Sequence, residues 1–213
     1  MGMFNQDIRK KLSESLSVMQ EKVELIYFTQ EFECMFCKET RTFLEEIATL
    51  NSKITLKIYD FAKDRIIAER YGVDKIPAIV VADKTEEDVG IKFYGIPAGY
   101  EINSFIASIL EVSGMKLHFT QKQEERIAAI TKQVHIEVFV SVGCPYCPES
   151  VIAAHRVAMK NRNVKADMVE STIFSYLANK NNVTGVPKTV INGKYEIAGA
   201  HSVDKLLDII EKI

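Results

Sequence analysis

Cys144-Pro145-Tyr146-Cys147 is the stretch around which the sequence is organised. It lies between a β-forming apolar run, residues 134–140, and a segment with helical spacing of apolar residues. Two cysteines three positions apart at a helix start lie on one helix face, with Cα atoms about 5 to 6 Å apart, which suits a disulfide bond. The helix dipole also stabilises a thiolate and lowers a cysteine pKa from about 8.5 toward about 3.5 to 7.5. The stretch predicts a redox site in which Cys144 attacks and Cys147 resolves.

A second tetrad, Cys34-Met35-Phe36-Cys37, lies 110 positions earlier and also follows a β-forming run, residues 23–29. Together the two tetrads contain all four cysteines of the chain. The spacing to a later proline repeats as well, since Pro77 and Pro187 each follow their tetrad's first cysteine by 43 positions. The repeat predicts two copies of a βαβ-α-ββα unit, with domains over residues 1–116 and 117–213.

The second half resembles the glutaredoxins. Its tetrad is that of the dithiol glutaredoxins, and residues 184–187 (Thr-Gly-Val-Pro) and 190–194 (Val-Ile-Asn-Gly-Lys) are similar to the stretch that follows a glutaredoxin active site. With one tetrad per half, the chain resembles the glutaredoxin-like protein disulfide oxidoreductases of archaea and thermophilic bacteria. The resemblance implies an α/β fold of two tandem thioredoxin-like domains, each with a central mixed β-sheet flanked by helices.

The same resemblance assigns residues that bind a client protein. It implies that Pro77 and Pro187 are cis prolines that face the cysteines. The backbone of the preceding residues, Ile76 and Val186, is then able to pair with an extended client segment, as in β-strand addition.

Three more residues are candidates for a role at the sites. Phe36 and Tyr146, which lie between the cysteines, are expected to form an apolar rim against the bound partner, or else are simply exposed. Glu137 lies on a strand that is predicted to be internal, where a desolvated carboxylate is a possible proton acceptor for the resolving cysteine. The alternative for Glu137 is a strand residue that reaches solvent or pairs with the other half.

A zinc or iron–sulfur site is the alternative use of two Cys-x-x-Cys pairs. Structural zinc sites usually place their second pair about 15 to 20 residues from the first, whereas 106 residues separate Cys37 from Cys144. Because the repeat places each pair in its own domain, the spacing favours redox chemistry and predicts no metal.

Composition restricts the class of protein and its partners. The 213 residues suit one large domain or two of about 100, and the net charge of −2 indicates no nucleic-acid or anionic-membrane partner. No apolar run approaches the roughly 18 residues of a membrane span, and residues 1–6 lack the basic and apolar parts of a secretory leader. Cysteines confined to such pairs are typical of catalysis in a reducing compartment, so we expect a cytoplasmic protein.

These observations predict an enzyme, a thiol–disulfide oxidoreductase that reduces protein disulfides and, run backwards, oxidises or isomerises client thiols. No Gly-rich nucleotide-binding motif is present. We therefore expect no bound cofactor and an external electron donor, either a flavoprotein of the thioredoxin reductase type or glutathione. The alternative is a thioredoxin-fold peptide-binding module, or holdase, whose thiol chemistry is incidental.

Overall fold

The computed structural model describes residues 3–213, which form two compact units. Residues 1 and 2, part of the segment without a leader pattern, lie outside the described residues. The first unit contains residues 3–88 together with Tyr94–Ile96 and Ser108–Met115. The second unit contains Val89–Phe93, Pro97–Ala107 and Lys116–Ile213. Within residues 3–213, no helix has both the length and the apolar character that crossing a membrane requires.

The first unit is a mixed β-sheet flanked by helices. In chain order its elements are α1 (Gln6–Leu16), β1 (Val23–Thr29), α2 (Cys37–Ala48), β2 (Ile54–Asp60), α3 (Arg65–Arg70) and β3 (Ala78–Ala82). The central strand β1 runs parallel to β2 and antiparallel to β3. Residues 25–28 of β1 and all of β3 are buried, as expected of short apolar runs that form internal strands.

The segment after β3 contributes residues to both units. It contains β4 (Asp88–Tyr94), a 3₁₀ helix (Gly99–Glu101) and α4 (Ile102–Val112). The 3₁₀ helix belongs to the second unit, where it makes one very close backbone approach. Gly99 has a φ of 59°, and a Cβ atom there would lie 2.2 Å from the Val142 carbonyl oxygen, so only glycine fits this position.

The second unit is also a mixed sheet flanked by helices. Its remaining elements are α5 (Gln121–Ala128), β5 (Val134–Val140), α6 (Cys147–Lys160), β6 (Val164–Glu170), α7 (Ser175–Lys180), β7 (Lys188–Ile191), β8 (Tyr195–Ala198) and α8 (Val203–Ile210). Its strand order is β4-β6-β5-β7-β8, with β5 parallel to β6 and antiparallel to β7. The turn between β7 and β8 is Asn192-Gly193, with φ angles of 51° and 63°, as favoured for a tight hairpin. The predicted fold class is confirmed.

In each unit, an asparagine fixes the turn that follows the helix begun by the second cysteine, α2 or α6. Asn161 Nδ2 donates to the carbonyl oxygens of Ile127 and Ile130 at 2.7 and 3.0 Å. Its Oδ1 accepts from the Asn163 N–H at 2.9 Å. Asn51 makes corresponding bonds to backbone groups in the first unit. In the second unit, these bonds tie the end of α5 to the turn that precedes β6.

Replacement of Asn161 by alanine is expected to lower the free energy of unfolding by about 1 to 3 kcal/mol, because several partly buried backbone groups each lose one hydrogen-bond partner. Urea titration followed by circular dichroism measures the loss. The control is Asn179→Ala, an exposed position on α7, for which a change within about 0.5 kcal/mol is expected. Equal effects of the two substitutions would contradict this role of Asn161.

Candidate active site

Both tetrads are closed as disulfides within their own unit. Cys34 is bonded to Cys37 with a Cα–Cα distance of 5.4 Å, and Cys144 to Cys147 with 5.5 Å. The helices begin at the second cysteine of each pair rather than at the first. The first cysteine lies in the turn before the helix, which still spaces the two Cα atoms as one helical turn would. Each first sulfur therefore stays beside the N-terminal end of a helix dipole.

The second site has the more enclosed pair of cysteines. Cys147 is fully buried and Cys144 is almost buried, whereas Cys34 of the first site is half-buried. Sγ of Cys144 lies 3.8 Å from the carbonyl oxygen of Val186. The structure thus brings the residue before Pro187 into contact with the sulfur that a client disulfide must reach.

The two predicted proline segments have the same geometry. The Ile76–Pro77 and Val186–Pro187 peptide bonds are cis. Both prolines are buried, while Ile76 and Val186 are half-buried. Each proline carbonyl oxygen accepts a hydrogen bond of 2.9 Å from the N–H of the glycine that directly follows β4 or β8, respectively. These glycines, Gly95 and Gly199, have φ angles of 104° and 80°.

The groove beside Pro187 is open. It has a volume of about 410 Å³, and its lining includes Thr184, Gly185 and Gly199. A Cβ atom added at either glycine would meet nothing within 4 Å. Lys188 closes one side, with Nζ 2.8 Å from the Glu196 carboxylate. A ligand backbone therefore has room to approach the Val186–Pro187 segment closely.

The two residues of the predicted apolar rim differ in exposure. Tyr146 is 69% exposed, but Phe36 is half-buried. At the first site the exposed apolar side chains are instead Phe32 and Met35, with exposed fractions of 79% and 88%. Sequence reasoning missed both. The only available signal was that an apolar residue occurs in the loop that leads to Cys34.

A buried tyrosine hydroxyl is hydrogen-bonded to the backbone at the first site. Tyr27 is fully buried on β1, and its hydroxyl donates to the Cys37 carbonyl oxygen at 2.7 Å. Burial raises the pKa of Tyr27 to about 12. The phenol therefore stays protonated at neutral pH, where it positions the start of α2 but accepts no proton.

Glu101 is an acidic residue of the second unit that sequence reasoning missed. Its side chain is fully buried. The 3₁₀ helix that contains it packs against α6, the helix that begins at Cys147. The Ser104 hydroxyl donates to Oε2, while Oε1 has no hydrogen-bond partner among the described residues. Burial raises the pKa of Glu101 to about 7. A carboxyl group with this pKa can exchange a proton at neutral pH.

The position of Glu101 is reinforced by the backbone. The Tyr100 N–H donates to the Val142 carbonyl oxygen at 2.9 Å, which ties the 3₁₀ helix to the loop just before Cys144. Glu137, the acid singled out from the sequence, is half-buried on β5, where it lies opposite Asp167 and Val190. Glu101 is the more desolvated of the two carboxyl groups.

The state of the four cysteines indicates the chemistry of the two sites. Each pair is closed as a disulfide, and its second cysteine begins a helix. Among residues 3–213, no three or more His, Cys, Asp or Glu side chains come together as metal ligands. Paired cysteines at a strand-to-helix junction on this fold define the class, a thiol–disulfide oxidoreductase.

Comparison with known proteins agrees with this class. A family model of the thioredoxin domain matches residues 134–211. A component of the alkyl hydroperoxide reductase of Staphylococcus aureus is 26% identical over 205 residues, which cover 96% of this chain and 37% of that protein. The chain thus spans little more than a third of the length of this relative.

Two solved structures match nearly the whole chain. The alkylhydroperoxide reductase component AhpF of Enterococcus faecalis superimposes with a TM-score of 0.91 and 31% identity, covering 97% of this chain and 99% of that one. A protein disulfide oxidoreductase from Aeropyrum pernix gives a TM-score of 0.90 and 25% identity, covering 97% and 92%. The chain belongs to the same family as this AhpF component, and it is built, like the protein disulfide oxidoreductase, from tandem thioredoxin-fold units. The predicted resemblance and enzyme class are confirmed.

Proposed function

We propose that the protein reduces protein disulfides at two dithiol sites, and that it oxidises or isomerises client thiols when the reaction runs backwards. The observation that carries the proposal is the contact between Cys144 Sγ and the Val186 carbonyl oxygen. It places the attacking sulfur beside backbone that an extended client can pair with. By the repeat, Ile76 and Pro77 take the same role beside Cys34.

The exchange proceeds through a mixed disulfide. The thiolate of Cys34 or Cys144 attacks one sulfur of the client disulfide, and the other client sulfur leaves as a thiolate that takes up a proton. Cys37 or Cys147 then loses its proton and attacks the mixed disulfide. The client leaves as a dithiol. It has gained two electrons from the tetrad, which is now closed as a disulfide.

Deprotonation of the resolving cysteine is the step in which the two sites differ. At the second site we assign Glu101 as the proton acceptor, because it is buried against α6 and its pKa is raised to about 7. Glu137 stays an alternative acceptor there. At the first site the buried group beneath Cys37 is the Tyr27 phenol, which keeps its proton.

Return of the protein to its dithiol form needs an external electron donor. We propose a flavoprotein of the thioredoxin reductase type, with glutathione as the alternative, and no bound cofactor in this chain. Some relatives are components of an alkyl hydroperoxide reductase. This supports an electron donor and an electron acceptor that belong to one redox system. Cysteines confined to Cys-x-x-Cys pairs support a cytoplasmic location. Protein disulfides and dithiols are the proposed partners, with no nucleic acid and no membrane.

The domain boundary between residues 116 and 117 stays a prediction, as does the rim role of Phe36 and Tyr146. The peptide-binding alternative draws support from the exposed apolar side chains Phe32 and Met35. Serine at all four cysteine positions separates the two functions. A holdase keeps its protection of an unfolding client after this change, and an oxidoreductase loses its activity.

Trapping tests the assigned roles of the cysteines. A protein with Cys37→Ser and Cys147→Ser is expected to accumulate a covalent complex with a disulfide-containing client, because the resolving thiol is missing. The complex is counted on non-reducing gels and disappears with dithiothreitol. The matched variant, Cys34→Ser with Cys144→Ser, should form none. Trapping by the second variant alone would overturn the proposed order of attack.

The second site is expected to be the faster reductase by severalfold. Glu31 and Glu33 precede Cys34, and nearby carboxylates disfavour a thiolate, whereas Val142-Gly143 before Cys144 carry no charge. One such charge at a partly exposed site is worth about 0.3 to 1 kcal/mol, and less in salt. Insulin reduction by Cys34→Ser and Cys144→Ser, with alkylation rates of the remaining thiol against pH, measures the difference. A larger loss for Cys34→Ser would contradict the expectation.

A further inference from the structure

The loop that leads to Cys34 differs from its counterpart in the second unit. Four residues, 30–33, separate β1 from Cys34, whereas three residues, 141–143, separate β5 from Cys144. The longer loop places Glu33 at a φ of 56°, in the left-handed region that side chains with a Cβ atom rarely adopt. The Gln30 side chain also donates to the Phe32 carbonyl oxygen at 2.6 Å. The loop thus has a defined shape that leaves Phe32 exposed between two glutamates.

The surface around Cys34 is apolar at its centre and acidic around it. Phe32 and Met35 are the most exposed large apolar side chains near the tetrad, at 79% and 88%. Glu31, Glu33 and Glu39 are exposed beside them, and none of the three forms an ion pair with another described residue. We call residues 31–35 together with Glu39 the Cys34 surface.

Few positive charges offset these carboxylates. Lys38 is the exposed cation next to the tetrad. Lys75, which precedes Ile76, is held in place, with Nζ 2.8 Å from Asp74 Oδ1 and 3.7 Å from the centre of the Tyr94 ring. The Cys34 surface therefore carries a net negative charge that a basic ligand would complement.

The first unit also contains an apolar groove. It has a volume of about 550 Å³, and its apolar lining comes from Phe61, Ala62, Ala68 and Val73. The Phe61 N–H donates to the carbonyl oxygen of the last residue of β1 at 2.8 Å, directly before the loop that leads to Cys34. Val73 lies three residues before Ile76. One lining residue is thus bonded to the strand end before the Cys34 loop, and another is close to Ile76 along the chain.

We propose that the first site selects extended client segments that carry an apolar residue next to the disulfide cysteine and basic residues beside it, as an unfolded protein chain exposes them. The inference rests on the proposed function, in which Cys34 attacks a client disulfide. An extended segment that pairs with Ile76 directs alternate side chains into neighbouring pockets. Phe32 and Met35 contact its apolar residues, and Glu31 and Glu33 attract its basic ones.

The test uses a protein with Cys144→Ser and Cys147→Ser, in which only the first site reacts. The substrates are three peptide disulfides that differ in the two residues flanking the cysteine. These residues are Lys and Leu in the first peptide, Glu and Leu in the second, and Lys and Ser in the third. With dithiothreitol as reductant, kcat/KM should be roughly tenfold higher for the Lys–Leu peptide than for the Glu–Leu peptide in low salt, and should fall to about twofold in high salt. The Lys–Leu peptide should exceed the Lys–Ser peptide severalfold.

Further variants assign each preference to its residues. Glu31→Gln with Glu33→Gln should remove the preference for lysine, and Phe32→Ser should weaken the preference for leucine. Glu14→Gln with Glu45→Gln, which removes two exposed carboxylates from α1 and α2 outside the Cys34 surface, should keep both preferences.

Three results would overturn the inference. The first is equal kcat/KM for all three peptides, and the second is the same preferences in a protein with Cys34→Ser and Cys37→Ser, in which only the second site reacts. Both leave the proposed oxidoreductase function standing. The third is no reaction with any peptide while Cys34 still reacts with a small aromatic disulfide, and this result would overturn the proposed function of the first site as well.

Discussion

Serine at both Cys34 and Cys144 is expected to lower the protein-dependent rate of insulin disulfide reduction by roughly 1,000-fold or more, to the background rate of dithiothreitol alone. A serine hydroxyl does not ionise near neutral pH and lacks the nucleophilicity of a thiolate. Either site alone retains activity in this scheme, so only the double change removes it. Turbidity of the released insulin B chain follows the reaction.

The loss must be separated from misfolding. Wild-type protein treated with dithiothreitol has both tetrads open, so its circular dichroism and thermal unfolding provide the reference for the serine variant. A folded variant that keeps more than about a tenth of the wild-type rate would show that another group attacks the client.

Glutamine in place of Glu101 is expected to slow resolution at the second site roughly 100-fold at pH 8, since a positioned general base contributes about 10²- to 10⁴-fold. The pH profile should change with it. Below about pH 7 the wild-type carboxyl group is protonated and accepts no proton, so the wild-type rate rises as the pH passes through about 7. The variant should lose this inflection. Stopped-flow measurement of resolution in a protein with Cys34→Ser and Cys37→Ser isolates the step.

Glu137→Gln is the matched change at the other carboxyl group of the second unit. If it removes the inflection and Glu101→Gln does not, the acceptor is Glu137. The first site, with Tyr27 beneath it, should show no inflection near pH 7 from a buried carboxyl group. Its profile in a protein with Cys144→Ser and Cys147→Ser is therefore an internal comparison.

Stability against pH provides an independent measurement on Glu101. The pKa of its carboxyl group is raised from 4.5 to about 7 in the folded protein, so its favourable contribution is complete below about pH 4.5 and is lost as the pH rises through 7. A shift of this size corresponds to roughly 3 kcal/mol. The Glu101→Gln variant should show a smaller loss of unfolding free energy between pH 5 and 8 than the wild type.

The sequence was sufficient for the features that depend on local pattern and repetition. The two tetrads and the equal spacing to Pro77 and Pro187 predicted the tandem units, because tight turns, cysteine spacing and apolar periodicity are encoded by neighbouring residues. The strands β1 and β5 begin and end where their apolar runs do. The start of the helices after the tetrads was predicted less well, because a turn and a helix place the two cysteines at the same separation.

Burial of Glu101, the proposed proton acceptor, could not be predicted in this way. A glutamate at the start of an apolar helix is ordinary, since the helix dipole favours an acid there. Its burial depends on residues 97–107 joining the second unit, although they precede its central strand by about thirty positions. Exposure of Phe32 and Met35 likewise depends on the conformation of the loop before Cys34, in which Glu33 is left-handed without a clear sequence signal.

The 3₁₀ helix belongs to the second unit, and this determines where the chain can be divided. A gene fragment that begins at residue 117 would encode Cys144, Cys147 and Pro187, and would look complete by its motifs. It would leave behind Gly99, which fits against Val142, and the buried carboxyl group of Glu101. Recombination or domain transplantation at that point would therefore produce a dithiol unit without the proposed proton acceptor, because the second unit also includes residues 89–93 and 97–107.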